Sequence, residues 1–182
     1  MDIENITEII LPRIKKYIND KKYNIKITIG KYSGSTFDKK LFQDVNYNNI
    51  KSLLESCNEW SDITDIETTK VKDKPVKIFH SIVIKFQNSP YDAIIEVDSS
   101  DKNEIIISDS YQEFKNIYDR KHHLYEISKI KDNFEINHSF SLLLKNDIKS
   151  VSGKYLIHSS LLKIQDIINS CEKIDKLKGN VI

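Results

Sequence analysis

The sequence holds one Ala, two Arg, four Gly, three Pro and two Cys among 182 residues. Each shortage excludes something. Four glycines cannot build a dinucleotide fingerprint, and no Gly-x-x-x-x-Gly-Lys loop is present to cradle a nucleotide phosphate. No Gly-x-Ser-x-Gly turn or oxyanion loop accompanies His138, Ser139, Asp147, His158 and Ser159, so these read as ordinary polar positions and not as a hydrolase triad. Cys57 and Cys171 are far apart, and neither has a His or a second Cys at ligand spacing. They predict two separate buried thiols and no zinc site. No apolar run is long enough for a membrane helix, and Met1–Asn5 carries acid in place of a basic leader segment, so the expectation is a soluble, intracellular chain with no membrane partner. An excess of one charge is missing too: 28 Lys+Arg face 27 Asp+Glu. That balance excludes a basic nucleic-acid tail and an acidic solvating chain, but not a local basic patch.

What is present is equally lopsided. There are 31 Ile, 26 Lys, 19 Ser, 16 Asp and 15 Asn, all residues with AT-rich codons, so much of the bias reports a genome. With 39% hydrophobic residues the chain is too apolar to be disordered, and its length suits one domain, 1–182. The near absence of Ala removes the best helix former, while Ile, Tyr, Phe and Ser suit strands.

The patterning places these residues. Ile3, Ile6, Ile10, Ile14, Tyr17 and Ile18 recur at helical steps, predicting a helix over 3–20 that Pro12 kinks or splits. Residues 24–32 alternate, with Ile25, Ile27 and Ile29 on one face and Lys26 and Thr28 on the other: a half-buried strand. Residues 46–58 predict a second helix, with Ile50, Leu53, Leu54 and Cys57 inward. Trp60, just after it, is either a core plug or a partner anchor. Strand patterns follow at 62–71, 76–87, 93–97, 104–108, 123–130, 133–144 and 154–158, with 111–118 ambiguous. Residues 159–177 predict a C-terminal helix, with Leu161, Ile164, Ile168, Cys171 and Ile174 in one stripe. The connections are mostly too short for parallel crossovers. The expected fold class is therefore α+β: a mostly antiparallel, curved sheet or β-barrel with N-terminal, post-first-strand and C-terminal helices.

One stretch points further. Asn24-Ile25-Lys26-Ile27-Thr28-Ile29-Gly30, followed by Phe37, Val45 and a Leu-faced helix, resembles the opening of the metal-dependent RNA triphosphatases of fungal and viral mRNA capping, members of the triphosphate tunnel metalloenzyme family. In that family the first strand reads Glu-apolar-Glu-apolar-Arg-apolar-Gly. The stretch 154–162 stands where the family has its last, glutamate-rich strand, and 118–124 where it has a basic strand facing phosphates. The resemblance is one of order and pattern over 3–177, and it implies a tunnel-like barrel. Its departures carry the functional expectation. Asn24, Lys26 and Thr28 stand for the first-strand Glu, Glu and Arg, and Leu156, His158 and Ser160 for the last-strand glutamates. An amide, an ammonium and an aliphatic group cannot replace hard oxygen ligands around a divalent cation. The resemblance thus implies a catalytically degenerate relative acting as a binding or scaffolding subunit in mRNA capping or transcription, with a protein partner or an RNA 5′ end, no catalytic residue and no cofactor. Lys26, Arg120, Lys121 and His158 would hold phosphate or RNA, with Lys26, Arg120 and His158 sharing one cavity. Non-catalytic uses of the fold are known in two head-module subunits of the Mediator complex.

Two alternatives stand beside this. Glu96 and Asp98, two residues apart on one strand face, together with Glu135 would form a relocated carboxylate set for Mg²⁺ or Mn²⁺ and an active triphosphatase. Equally, the chain would be an interaction module without any link to nucleotides. Adjacent His122 and His123 point to opposite strand faces and so do not form a pair of metal ligands. Lys70, Lys72, Lys74 and Lys77 read as an exposed edge, or as a salt-sensitive contact to nucleic-acid phosphates.

Overall fold

The structure, a computed structural model, describes residues 2–18, 20, 22–33, 36–39, 42–64, 78–99, 111–120, 125–126, 137–138, 140–145 and 153–179. The first helix, α1 (Ile3–Ile18), buries Ile3, Ile6, Thr7, Ile10, Ile14, Tyr17 and Ile18, the stripe that the sequence predicts. Asp2 Oδ1 accepts from the Asn5 amide at 2.9 Å and caps its start, while Lys15 and Lys16 sit at its negative end. Pro12 lies inside α1, which nonetheless runs as one element. The carbonyl that Pro12 cannot serve belongs to exposed Glu8, where water can reach it.

Strand β1 (Tyr23–Ser33) is the longest strand described and lies inside the sheet. It pairs antiparallel with β6 (Asp92–Ser99) on one side and β11 (Phe140–Leu144) on the other. Beyond β11 lies β4 (Trp60–Thr64), and beyond β6 come β5 (Ile78–Lys85), β8 (Ile117–Arg120) and β7 (Tyr111–Phe114), all antiparallel. The order is β4-β11-β1-β6-β5-β8-β7, and the curved sheet does not close among the described residues. Of the two expected forms the described residues show the curved sheet, with β4 and β7 at the ends of their strand order. Short β2 (Thr36–Asp38) folds back on the end of β1 and carries β9 (Tyr125–Glu126) in parallel, the exception to the antiparallel rule. A separate two-stranded ladder joins β3 (Phe42–Gln43) to β10 (Asn137–His138). The second helix, α2 (Asp44–Glu55), follows β3.

The ambiguous stretch 111–118 is a hairpin with Asn116 at φ 65°, a left-handed turn position that Asn tolerates. The expected strand 154–158 is not a strand. It is the start of helix α3 (Gly153–Gly179), where Leu156 and Ile157 join Leu161, Ile164 and Ile168 in one buried stripe. Its alternating look came from a short sample of a 3.6-residue period. The expected strand 104–108 lies outside the described residues.

The main core lies between the helices and one sheet face. Ile25, Ile27, Ile29, Ile82, Ile84, Ala93, Ile95, Val97, Phe140 and Leu142 meet α1 and α3 there. Trp60 belongs to this core: it is buried, and its indole N–H donates to the Leu54 carbonyl at 2.8 Å, which decides for the core plug. Gly30 is required where β2 crosses. A Cβ there would stand 2.3 Å from the Asp38 carbonyl oxygen and 2.4 Å from the Phe37 ring.

Candidate functional site

Strand alternation sends the other half of each strand to the face away from the helices. On β1 these are Asn24, Lys26, Thr28, Gly30 and Tyr32, and register brings Asp98, Glu96, Ile94 and Asp92 of β6 beside the first four. Ser81 of β5 is the register partner of both Glu96 and Arg120. The face has two parts. Tyr32, Phe37, Val83 and Ile94 form a small apolar cluster, with the Tyr32 and Tyr118 rings 4.8 Å apart. Beside it lies a polar cluster of Asn24, Lys26, Lys39, Glu96 and Asp98.

The polar cluster is closed and paired. Glu96 and Asp98 are 7% and 6% exposed, so neither carboxylate has water as its main partner. The Lys39 ammonium stands 2.5 Å from Glu96 Oε1. Asn24 Nδ2 donates to Asp98 Oδ1 at 2.9 Å, and the Lys26 ammonium lies 3.5 Å from Asp98 Oδ2. Two carboxylates are matched by two ammoniums. Nearby, the Thr28 hydroxyl donates to Ser141 Oγ at 3.1 Å, both groups being buried. The buried Ser81 Oγ has no hydrogen-bond partner among the described residues. At the far end, Asp92 Oδ2 accepts from the Tyr32 amide at 2.9 Å. Burial pushes the Asp92 carboxyl up from its ordinary value, and the Tyr32 amide with Lys31 and Lys85 only partly offsets it.

The predicted site residues are thus only partly assembled. Lys26, Glu96 and Asp98 share a face, Glu96 and Asp98 because they are two residues apart, and Arg120 ends β8 as the register partner of Ser81. His158 does not join them. It projects from α3, on the other side of the sheet, into an open cleft of about 520 Å³ bordered by Asp2, Glu4, Asn88 and Gln165. The expected cavity common to Lys26, Arg120 and His158 is therefore corrected: α3 carries His158 away from the sheet's polar face. Lys121, Glu135, His122, His123 and Lys70–Lys77 lie outside the described residues, as do Ser139 and Asp147.

A second buried polar network escapes sequence reasoning. On the helix face, His80 Nε2 contacts Asp119 Oδ1, and Arg13 Nε of α1 stands 2.8 Å from Asp119 Oδ2. Arg13 also donates to Gln112 at 3.2 Å and lies 4.1 Å over the Phe114 ring. This network joins α1 to β5, β7 and β8. Parity alone offered a signal: Asp119 shares a strand face with Ile117. Lys39 had none, because nothing in a polar loop marks which lysine turns inward.

At the sheet's opposite margin Glu59 accepts from Lys163 at 2.6 Å and from Ser159 at 3.0 Å. Burial opposes ionisation of Glu59, but these bonds outweigh it and hold the carboxyl below its ordinary value. Cys57 close by is half-buried, and burial raises its thiol, which leaves it a poor nucleophile. Among the described residues no group of three or more His, Cys, Asp and Glu is placed to hold a metal ion, and no helix is long and apolar enough to cross a membrane. Compared with protein-family models, curated proteins and solved structures, the chain matches none.

Proposed function

We propose that this chain is a catalytically degenerate, triphosphate-tunnel-like protein that serves as a binding or scaffolding subunit in mRNA capping or transcription, engaging a protein partner or an RNA 5′ end. One observation carries the reading. On the helix-free face of the sheet, where the resembled enzymes gather carboxylates around a metal, Glu96 and Asp98 each have a lysine within ion-pair distance. A divalent cation would have to displace ammonium groups to reach them. The departures noted on the first strand point the same way, since Asn24 and Lys26 occupy the β1 positions. The helix at 154–158 removes the last strand from the resemblance. The reading therefore rests on the β1–β6 face alone. Under it Lys26 supplies positive charge for a phosphate-bearing end.

The burial of Glu96 and Asp98 on one face favours a second reading, an active Mg²⁺- or Mn²⁺-dependent triphosphatase with relocated carboxylates. Incubation with RNA bearing a 5′ triphosphate, or with a nucleoside triphosphate, plus Mn²⁺ separates the two. The scaffold reading expects no phosphate release, and RNA binding that weakens with salt and with Lys26→Ala. Release that vanishes in Glu96→Gln would replace it with the enzyme. No binding of triphosphate or RNA at low salt, with a protein partner co-purifying, would leave an interaction module without nucleotide chemistry.

A further inference from the structure

We infer that the cleft between α1 and α3 is a protein-docking surface, and that it takes a basic, amphipathic helix of a partner protein. The cleft lies on the helix side of the sheet, so this goes beyond the function proposed above and stands without the family resemblance. The surface begins with a mismatch on α3. Leu156, Ile157, Leu161 and Ile164 are buried in the main core, as an amphipathic helix requires. Tyr155 and Leu162 lie outside that stripe, 64% and 39% exposed, and they are two of the three large apolar side chains exposed among the described residues. They stand seven residues apart, two helical turns, with His158 between them, so they follow one edge of α3. His158, Leu162 and Gln165 form one wall of the open cleft of about 520 Å³. The start of α1, with Asp2 and Glu4, and the turn after β5, with Asn88, form the others.

Two features select the occupant. The first is backbone chemistry. The walls are two helices and a turn, and no strand lines the cleft among the described residues. An extended segment would find no edge to pair with and would bring unpaired amides and carbonyls to an apolar contact. A helix satisfies its own backbone, and its side-chain rows at steps of three and four match the row Tyr155, His158, Leu162 and Gln165. The second is charge. Asp2 and Glu4 are both exposed, and no Lys or Arg lines the cleft among the described residues. Glu8 continues the acidic edge one turn after Glu4. Its contact with Lys154, at 4.0 Å and with both side chains more than half exposed, offsets little of its charge. Lys or Arg on the flank of the partner helix meets this edge, while its apolar side chains cover Leu162 and Tyr155. A phosphate-bearing chain would instead face the carboxylates, so His158 serves the protein contact and not an RNA end.

The test uses the full isotope-labelled chain and a synthetic helical peptide of about fourteen residues, with Leu at steps of three and four and Lys along both flanks. Amide chemical shifts locate the contact, and fluorescence anisotropy of the labelled peptide gives its affinity. Saturable binding is expected, with the largest shifts at Glu4, Asn88, His158 and Leu162. A peptide with Glu in place of every Lys, or Ser in place of every Leu, should bind at least about tenfold more weakly. Glu4→Lys and Leu162→Ser in the chain should each weaken binding by about the same factor. Tyr155→Ser, at a still more exposed position, stands in for Leu162→Ser if that chain does not fold. No saturable binding up to about 1 mM overturns the inference. So do shifts gathered elsewhere, equal binding of the Glu peptide, or an affinity that neither variant changes. Displacement of the peptide by RNA bearing a 5′ triphosphate at these same amides also overturns it, because the cleft would then belong to nucleic acid. RNA binding that depends on Lys26, or its absence, leaves the peptide result untouched, so the two readings fail separately.

Discussion

The two faces of the central sheet are made from the same strands and obey opposite rules. On β1, Ile25, Ile27 and Ile29 enter a core shared with α1 and α3, whereas Asn24 and Lys26 pair from a half-buried position with the buried Asp98 and Thr28 bonds to the buried Ser141. The helix face is held by apolar area, which tolerates no missing methylene but needs no particular orientation. The other face is held by pairing, in which each carboxylate needs its own donor. A buried ion cluster also sits on the helix face, where Asp119 ties Arg13 of α1 to His80 of the sheet. Burial alone therefore does not separate the faces. They differ in whether charge is incidental to the packing or is itself the packing.

Substitutions can break this comparison at graded cost. The largest effect is expected from Asp119→Ala, which leaves the Arg13 charge at the helix–sheet junction without its carboxylate and should cost about 3–5 kcal/mol in urea unfolding. An effect below about 1 kcal/mol would show that the junction rests on apolar contacts alone. Ile27→Ala should cost about 2–5 kcal/mol through a cavity in the main core, while its neighbour Thr28→Ala, losing one hydroxyl bond to Ser141, should cost about 1 kcal/mol. Equal costs would erase the distinction between the faces. Gly30→Ala lies between these, at about 1–3 kcal/mol, because β2 must move away from the new methyl. Phe37→Leu in the same background should return part of the loss by freeing the ring side of the contact, although the Asp38 carbonyl remains close.

The smallest effects are in pH dependence, and they have opposite signs. Glu59 titrates below its ordinary 4.5 in the folded protein, so its contribution is present above that value and is lost as pH falls through the folded value. Asp92 titrates above its ordinary 3.8, so its contribution is present below that value and is lost as pH rises through the folded value. Melting curves across the acidic range should therefore lose an acid-side decline in Glu59→Gln. In Asp92→Asn they should lose a decline on the rising side. Unchanged profiles in both would place the pH dependence in other groups.

Much of this was legible in the sequence because periodicity reports burial directly. The stripe of α1, the alternation of β1 and the shared face of Glu96 and Asp98 all follow from spacing. The error at 154–158 shows the limit. Tyr155 and Ile157 fall on alternate positions of what reads as a strand over 154–158, yet five residues do not distinguish a period of two from the start of a longer helical stripe. Trp60 was open between two roles until its N–H found the Leu54 carbonyl.

By itself the sequence determined an α+β chain with a near-neutral charge and a half-buried strand at 24–32, with Ile on one face and Asn24, Lys26 and Thr28 on the other. Only the tertiary structure decided which charges meet. Lys39 and Glu96 are 57 residues apart, and Arg13, His80 and Asp119 come from α1, β5 and β8. Local spacing fixes the face on which a side chain emerges, because backbone geometry repeats over two or four residues. It carries no information on which distant segment will be laid against that face, since strand order and the path of the β2 strap are settled by packing across the whole sheet.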